Sequence, residues 1–338
     1  MKKQTAGLLA VGGLVLASGL GASLLAAETT PRLFFLDIRG GRVLTMKPDG
    51  ADVQVLVDNK KELPDGIAVD VEKGYIYWSN MGKANEDDGF VYRTNLDGSN
   101  FTTLVPKGGT FTAKQMKLDE KHGKMYWSDR EGMRIQRANL DGSNVETLVV
   151  TGKGEKDRAD AANWCVGIAV DVDGGKVYWT QKGSDNSFRG TIRRANLEIP
   201  KGQTADNRQD VEILFDGLPE PIDLDLDARS GMLYWTDRGD APRGNTVNRA
   251  PMKKPAGVDA KDRKDIQILF GGLTEAIGVA LDIPGNRLYV TDLGGNIVSA
   301  KLDGSDKKTI GTKLGSLTGI AFANVPVKSL RTQTQQHQ

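Results

Sequence analysis

Residues able to do chemistry are concentrated in two short, strand-like segments. Gln115 and Lys117 lie in QMKLD, and Asp223 and Asp225 lie in DLDLD. Side chains two residues apart project to the same face of a β-strand, so each pair would act together. Two carboxylates can bind a divalent cation or a polar ligand, and a lysine can bind an anionic group. The same residues could instead form an internal ion pair, and the sequence leaves both interpretations open.

Histidine and cysteine offer little for catalysis. The chain has two histidines and one cysteine: His122 lies in the charged turn DEKHGK, His337 lies near the C-terminus, and Cys165 has no histidine beside it. These residues supply neither a Ser-His-Asp triad nor a histidine-rich metal site. We expect Cys165 to be a small buried hydrophobic residue. A single cysteine also excludes an internal disulfide, so packing must stabilise the fold.

A Tyr-Trp element recurs along the chain at intervals of about 50 residues. Its copies read IYWSN, MYWSD, VYWTQ, LYWTD and LYVTD, and a degraded copy, FFLD, precedes them. The motif residues are Tyr77, Trp78, Tyr126, Trp127, Asp129, Tyr178, Trp179, Tyr234, Trp235, Asp237, Tyr289 and Asp292. Because the element is present in every unit, we interpret it first as a structural part, with the tryptophans filling the space between neighbouring sheets.

Each unit contains four short runs rich in β-branched and aromatic residues. An apolar run ending in Asp precedes the Tyr-Trp run, as in GIAVD, while a third run, such as VYRTN, and a fourth, such as FTTLV, follow it. Asp-Gly steps such as Asp97-Gly98 predict tight hairpins between the third and fourth strands, because glycine accepts a positive φ. Four short strands in each unit of about 50 residues indicate the blade of a β-propeller.

The two ends of the chain each supply part of one blade. Residues 317–323, LTGIAFA, look like a first strand with no Tyr-Trp strand after it, and LFFLD near the N-terminus has no first strand before it. Joining the two would close the ring and remove an exposed sheet edge. The sequence therefore predicts an all-β, six-bladed propeller with four-stranded antiparallel blades, in which the N- and C-terminal strands complete one blade.

The repeats resemble those of the YWTD propellers, the class B repeats of the low-density lipoprotein receptor family and of nidogen. The resemblance covers about residues 32–324 and implies the six-bladed fold. Members of the family usually flank this ring with disulfide-rich modules, which the single cysteine rules out here. The endocytic role of the receptors is therefore not carried over.

A second structural expectation concerns arginines that recur on the third strand of the units. They could pair with a motif Asp, within a blade or between blades, and so hold the strand register. These arginines are Arg93, Arg137, Arg194 and Arg249.

Departures from the repeat are the candidate site. First strands line the central channel of a propeller and are mostly small and apolar here, so Gln115, Lys117, Asp223 and Asp225 would place polar groups near the axis. We call the face formed by the loops that enter the first strands, together with the loops between the second and third strands, the top face. It should carry Trp164, the one tryptophan outside the motif, and also Arg130 and Arg238. An aromatic side chain there is a good anchor for a partner, although Trp164 could equally plug the channel or pack under its own loop.

Arg238 also opens the tripeptide Arg238-Gly239-Asp240, which resembles an integrin-binding sequence. It follows LYWTD at the place where Arg130 follows MYWSD. We interpret it as a repeat arginine followed by turn residues.

The charge of the chain narrows the function. A formal net charge of +1 provides no global attraction to nucleic acid or to membranes. We expect a monomeric, non-catalytic binding module for a protein or an extracellular polymer, without a cofactor or a bound metal. The alternative is a metal-dependent, lactonase-like hydrolase whose acidic channel, with Asp223 and Asp225, binds a divalent cation.

The N-terminus predicts export. Lys2 and Lys3 precede a long apolar run, and Leu25-Ala26-Ala27 offers a cleavage site of small residues. Residues 1–27 are therefore expected to be a signal peptide, or an uncleaved anchor because the run could span a bilayer. Residues 32–326 are assigned to the propeller and 327–338 to a disordered tail. This organisation suits a periplasmic or secreted protein.

Overall fold

Alternating apolar and polar residues, interrupted by Gly and Asp turns, produce six four-stranded antiparallel sheets in the computed structural model, which describes Met1 and residues 28–330. The predicted six-bladed propeller is confirmed. The proposed signal peptide lies outside the described residues apart from Met1, as do residues 331–338 of the proposed tail. Val327–Ser329 forms a 3-10 turn after the last strand. The part of the chain that the structure describes holds no helix long and apolar enough to span a membrane.

Blade one is closed by both ends of the chain, as predicted. Strand β24 (Leu317–Pro326) pairs antiparallel with β1 (Thr29–Asp37), with Phe35 opposite Ile320. β1 pairs in turn with β2 (Arg42–Met46), and β2 pairs with β3 (Gln54–Asp58). β24 is thus the inner strand of this blade, and closure leaves no sheet edge at the join.

The other five blades each use four consecutive strands, ordered from the channel outward. Blade two contains β4 (Pro64–Asp70), β5 (Tyr75–Asn80), β6 (Gly89–Asn95) and β7 (Thr102–Thr110). Blade three contains β8 (Ala113–Asp119), β9 (Lys124–Asp129), β10 (Arg134–Asn139) and β11 (Glu146–Val150). Blade four contains β12 (Cys165–Asp171), β13 (Lys176–Gln181), β14 (Gly190–Asn196) and β15 (Glu212–Leu218). Blade five contains β16 (Pro221–Asp227), β17 (Met232–Asp237), β18 (Thr246–Pro251) and β19 (Gln267–Gly271). Blade six contains β20 (Ala276–Asp282), β21 (Arg287–Asp292), β22 (Ile297–Lys301) and β23 (Lys308–Gly311).

Short helical segments occur between blades and in one long turn. The loop from blade three to blade four carries helix α1 (Gly154–Arg158) and the 3-10 turn Ala161–Asn163. A further 3-10 turn, Ala260–Asp262, lies in the long third turn of blade five.

The motif aromatic residues form the core between blades. The side chains of Trp78, Trp127, Trp179 and Trp235 are at most 2% exposed, and each lies in an apolar cluster built from two neighbouring blades. Burying a large side chain of this kind stabilises the fold by about 2–3 kcal/mol. Trp therefore recurs at this position because a large side chain is needed to fill the space between neighbouring sheets.

In five of the six blades the third motif residue is a Ser or Thr that joins the blade to the next one. Its hydroxyl donates a hydrogen bond to a carbonyl oxygen of the next inner strand, as from Ser79 to Lys114 at 2.5 Å and from Thr180 to Ile222 at 2.6 Å. Blade one has Leu36 at this position, and Thr318 of its inner strand instead donates to the carbonyl oxygen of Pro64 at 3.0 Å. The remaining pairs are Ser128 with Val166, Thr236 with Ile277, and Thr291 with Thr318.

At one level of the channel, neighbouring inner strands approach each other closely, and four of the six strands have glycine there. A Cβ atom added to Gly66 would lie 2.4 Å from the carbonyl oxygen of Lys114, and one added to Gly167 would lie 2.3 Å from that of Ile222. Glycine is therefore required at positions 66 and 167. Gln115 and Asp223 are the non-glycine residues at this level.

The expected pairing of the third-strand arginines with the motif aspartates is wrong. Arg137 instead binds Glu146 at 2.7 Å and Glu198 at 2.6 Å, and it lies opposite Tyr126 in the sheet. Asp129 lies opposite Arg134, which it binds at 2.8 Å. The reason is register: the recurring arginines sit opposite the motif Tyr, toward the other end of the strand. Their partners are the Tyr75 ring for Arg93, Glu212 for Arg194, and Gln267 for Arg249.

Candidate functional site

Of the four polar channel residues, Lys117 and Asp225 form a pair, whereas Asp223 and Gln115 bind other groups. Lys117 Nζ lies 3.3 Å from Asp225 Oδ2, and both side chains are about a quarter exposed. Both residues line a cavity of about 180 Å³ on the channel wall, with Glu120 and Ala280 among its other lining residues. The ion pair that the sequence left open is thus present between Lys117 and Asp225.

Asp223 is 2% exposed and is bound by the backbone. Its Oδ2 accepts a hydrogen bond from Val279 N at 3.0 Å, and its Oδ1 accepts one from Leu224 N at 2.9 Å. Burial raises the pKa of Asp223 to about 7, against the opposing effect of Lys117. Asp223 therefore joins blade five to blade six through a side-chain hydrogen bond, at a position where four of the other blades have glycine.

Gln115 makes its polar contacts away from the Lys117–Asp225 pair. Its Nε2 donates to Asp65 Oδ1 at 3.1 Å, and Lys114 Nζ binds the other carboxylate oxygen of Asp65 at 2.5 Å. Among the described residues, no group of three or more His, Cys, Asp or Glu side chains is placed to hold a metal ion.

Trp164 lies half-buried on the top face, in the loop that enters blade four. Helix α1 and the following 3-10 turn position it: its Nε1 donates to the carbonyl oxygen of Arg158 at 2.8 Å, and its backbone N donates to Ala161 O. The guanidinium of Arg130 lies 5.2 Å from the centre of its ring, and Lys182 Nζ lies 5.9 Å from it. These distances allow cation–π attraction, which orients the ring.

Arg130 and Arg238, the other top-face candidates, both bind carboxylates. Arg130 Nε donates to Glu131 Oε1 at 2.7 Å, and Arg238 Nη2 donates to Glu220 Oε1 at 2.5 Å. Glu220 is 2% exposed and also accepts from Lys182 Nζ. Charge-assisted bonds of this kind hold the cations in fixed directions at the rim.

The Arg-Gly-Asp tripeptide is part of this rim. Tyr234 to Asp237 lie in β17, and Asp240 accepts a hydrogen bond from Asn186 Nδ2 at 2.8 Å. Arg238, Asn186 and Asp240 line a cavity of about 280 Å³ together with Glu220 and Glu275.

Sequence reasoning missed Lys182, although a signal for it was available. Arg130, Lys182 and Arg238 each directly follow the Tyr-Trp strand in blades three, four and five, where the other blades have Ile38, Met81 and Leu293. Aligning this one position would have placed three successive cations around the channel mouth. Their carboxylate partners could not be found this way, because Glu220 reaches Lys182 only through the packing of two blades.

The floor between these cations is apolar. Val166, Ile222 and Ile277 are the second residues of the inner strands of blades four, five and six. They are at most 6% exposed, and the partly buried Leu293 packs against them. The top face thus combines an apolar floor, a rim of paired charges and one half-buried tryptophan.

Known proteins are similar to this chain in sequence and in fold. No family model matches the chain. A Pyricularia oryzae protein named low-density lipoprotein receptor-related protein 1 is 44% identical over 312 residues, which covers 88% of this chain and 100% of the relative. The 3-hydroxyacyl-CoA dehydrogenase-like protein LAM1 of Cochliobolus heterostrophus is 40% identical over 313 residues, and the match spans 88% of this chain and 66% of that relative.

Solved structures agree on the fold. A chain from the crystal structure of a nidogen/laminin complex superposes with a TM-score of 0.67 and 22% identity, covering 87% of this chain and 98% of its own length. TolB from Acinetobacter baumannii gives 0.61 and 12% identity, covering 87% of this chain and 66% of its own. The resemblance drawn from the repeats is confirmed: the chain belongs to the low-density lipoprotein receptor-related family of YWTD β-propellers.

Proposed function

We propose that this protein is an exported, monomeric and non-catalytic binding module, which holds a protein or an extracellular polymer against its top face. The observation that carries the proposal is the position of Trp164. The other tryptophans are buried between blades, whereas Trp164 is half-buried on the face made of loops, beside Arg130 and Lys182. An aromatic side chain held in one orientation beside an apolar floor is a typical anchor for a partner.

The family supports a binding role. The chain with a similar fold was solved in a nidogen/laminin complex, which is an assembly of proteins. Export is supported by Lys2, Lys3 and the apolar run that ends before Glu28. N-terminal sequencing of protein recovered outside the cell should begin at Glu28. Protein that keeps Met1 and remains in the membrane fraction would contradict cleavage and indicate an anchor.

A binding screen with a matched control tests the proposal. Immobilised full-length protein is presented with a displayed peptide library and with an array of extracellular polysaccharides, in parallel with the variants Trp164→Ala and Phe101→Ala. Phe101 is also an exposed aromatic residue, at 46%, but it lies in a turn on the opposite face. We expect ligands retained by the wild type and by Phe101→Ala to bind Trp164→Ala at least about tenfold more weakly. Equal binding by Trp164→Ala, or no ligand at all, would contradict the proposal.

The two carboxylates on which the hydrolase alternative depends, Asp223 and Asp225, have other partners. Asp223 accepts hydrogen bonds from two backbone amides, and Asp225 faces Lys117. Elemental analysis of the purified protein tests this interpretation. A stoichiometric calcium or zinc ion that is lost in the Asp223→Ala, Asp225→Ala double variant would overturn it.

A further inference from the structure

Two arginines on the top face are held by one glutamate. Arg130 Nε donates to the carboxylate Oε1 of Glu131 at 2.7 Å, and Arg158 Nε donates to the backbone oxygen of the same residue at 2.9 Å. Both guanidinium groups are therefore bound to the same residue, although blade three supplies one of them and helix α1 of the next loop supplies the other.

Each guanidinium is also placed against an aromatic ring. Arg130 lies 5.2 Å from the centre of the Trp164 ring, and Arg158 lies 4.4 Å from that of Phe111. Ring contact and an Nε bond together hold a guanidinium in one plane, which lowers the entropic cost of using its terminal nitrogens.

The terminal nitrogens remain available. Within residues 28–330, Nη1 of Arg130 and both terminal nitrogens of Arg158 make no hydrogen bond to the protein. Glu131 is only 2% exposed, so its carboxylate is buried, whereas the side chain of Arg130 is 22% exposed. Other cations nearby differ: Lys114 is bound by Asp65, and Lys182 by Glu220.

We propose that Arg130 and Arg158 form the binding site for an acidic side chain of a protein partner, an Asp or Glu next to an apolar residue that packs on Trp164. This site rests on the proposed function and names the chemistry of its ligand. A carboxylate matches the paired N–H donors of a guanidinium.

The surroundings favour one carboxylate over a polyanionic polymer. The exposed carboxylates Asp160 and Asp185 stand on the same face, with side chains 39% and 76% exposed; Asp160 binds Arg189, and Asp185 binds Lys182. Their repulsion grows with the number of negative charges on the ligand, so it is larger for a sulfated glycan than for a single acidic residue between apolar neighbours.

Peptides selected from a displayed random library on the full-length protein test the site. We expect the selected peptides to share an Asp or Glu, and changing it to Asn or Gln to weaken binding at least about tenfold. Arg158→Gln and the Arg130→Gln, Arg158→Gln double variant should show the same loss, and the acid-to-amide change should have little further effect on the double variant. Arg189→Gln is the matched control, because Asp160 already occupies this arginine.

Arg158→Gln is the variant expected to fold normally, because among the described residues the side chain of Arg158 hydrogen-bonds only to a backbone oxygen. An unchanged thermal midpoint shows that a binding loss is local. Selected peptides without an acidic residue, or peptides that bind the double variant as well as the wild type, would overturn the site. If these peptides still need Trp164, the proposed function survives.

Heparin provides the opposite test. If the wild type is retained on heparin and the double variant is not, the arginines bind a polyanion, and the acidic-peptide site is overturned. If no peptide is selected, both the site and the proposed protein partner are overturned.

Discussion

The hydroxyl of Thr236 donates a hydrogen bond to the carbonyl oxygen of Ile277 at 2.5 Å, which joins blade five to the inner strand of blade six. The same hydroxyl accepts a hydrogen bond from Asp223 N at 3.1 Å. Thr236 is fully buried, so removal of its hydroxyl leaves both backbone groups without this partner.

Thr236→Val should therefore lower the free energy of unfolding by about 2 kcal/mol, the cost of unsatisfied buried polar groups. Denaturant titration measures the change. Thr236→Ser retains the hydroxyl and should lose less, and Thr103→Val on the exposed outer strand of blade two is the control. Equal effects of Thr236→Val and Thr103→Val would refute the role of the hydroxyl as a link between blades.

The two kinds of tryptophan should respond differently to truncation. Trp179→Ala removes a fully buried ring and should cost about 3–5 kcal/mol of stability. Trp164→Ala removes a half-buried ring and should cost less than half as much stability, while it weakens ligand binding at least about tenfold. Urea unfolding of the two variants measures the contrast. A comparable destabilisation in both would mean that Trp164 belongs to the core.

Asp223 should make the protein less stable as the pH rises. Its folded-state pKa of about 7 lies above that of an unfolded aspartate, so the native state holds the extra proton between about pH 4 and pH 7. The stability that this proton contributes is complete below pH 4 and is lost as the pH rises through about 7.

Asp223→Asn mimics the protonated form and should be more stable than the wild type at pH 8, by about 1–3 kcal/mol. The two proteins should converge near pH 4. Burial also raises the pKa of Asp237 to about 7, so part of the pH dependence should remain in the variant. Denaturant unfolding of the two proteins across this pH range measures the difference in their free energies of unfolding. A difference that does not change with pH would be inconsistent with a raised pKa at Asp223.

Arg208 should hold the long third turn of blade four. Its guanidinium is buried and donates to the carbonyl oxygens of Leu148 and Asn196, at 2.8 and 2.7 Å, and it binds Asp210. Arg208→Met should cost about 1–3 kcal/mol and expose the turn, so trypsin should cleave faster after Lys201. Arg229→Met, on an exposed turn, is the control. Unchanged cleavage after Lys201 would show that other contacts hold the turn.

Much of the fold was predictable, because its evidence is periodic. Six copies of the motif, a Gly or Asp turn between runs, and complementary half-blades at the two ends are all local patterns, and they specified six four-stranded blades. Pairings between blades were less accessible. The arginine–aspartate pairing was wrong because Arg137 and Asp129 lie at different ends of their strands, a matter of register that residue types do not reveal.

For the candidate site, too, the sequence indicated the residues but not their partners. Residue type and the break in the repeat identified Trp164, Arg130, Arg238 and the four channel residues. Their partners came from elsewhere in the chain: Lys117 meets Asp225 across the channel, and Gln115 meets Asp65 of the neighbouring blade.

The sequence by itself determined the blade, the number of blades and the closure of the ring, because each depends on short segments that repeat. The tertiary structure alone decided which charges are neutralised and which remain available. Arg238 is bound by the buried Glu220, whereas Arg130 and Arg158, 28 residues apart in the chain, come together on Glu131 with terminal nitrogens available. The physical reason is that hydrogen bonds and ion pairs act over a few ångströms, so their partners are determined only when the blades have packed.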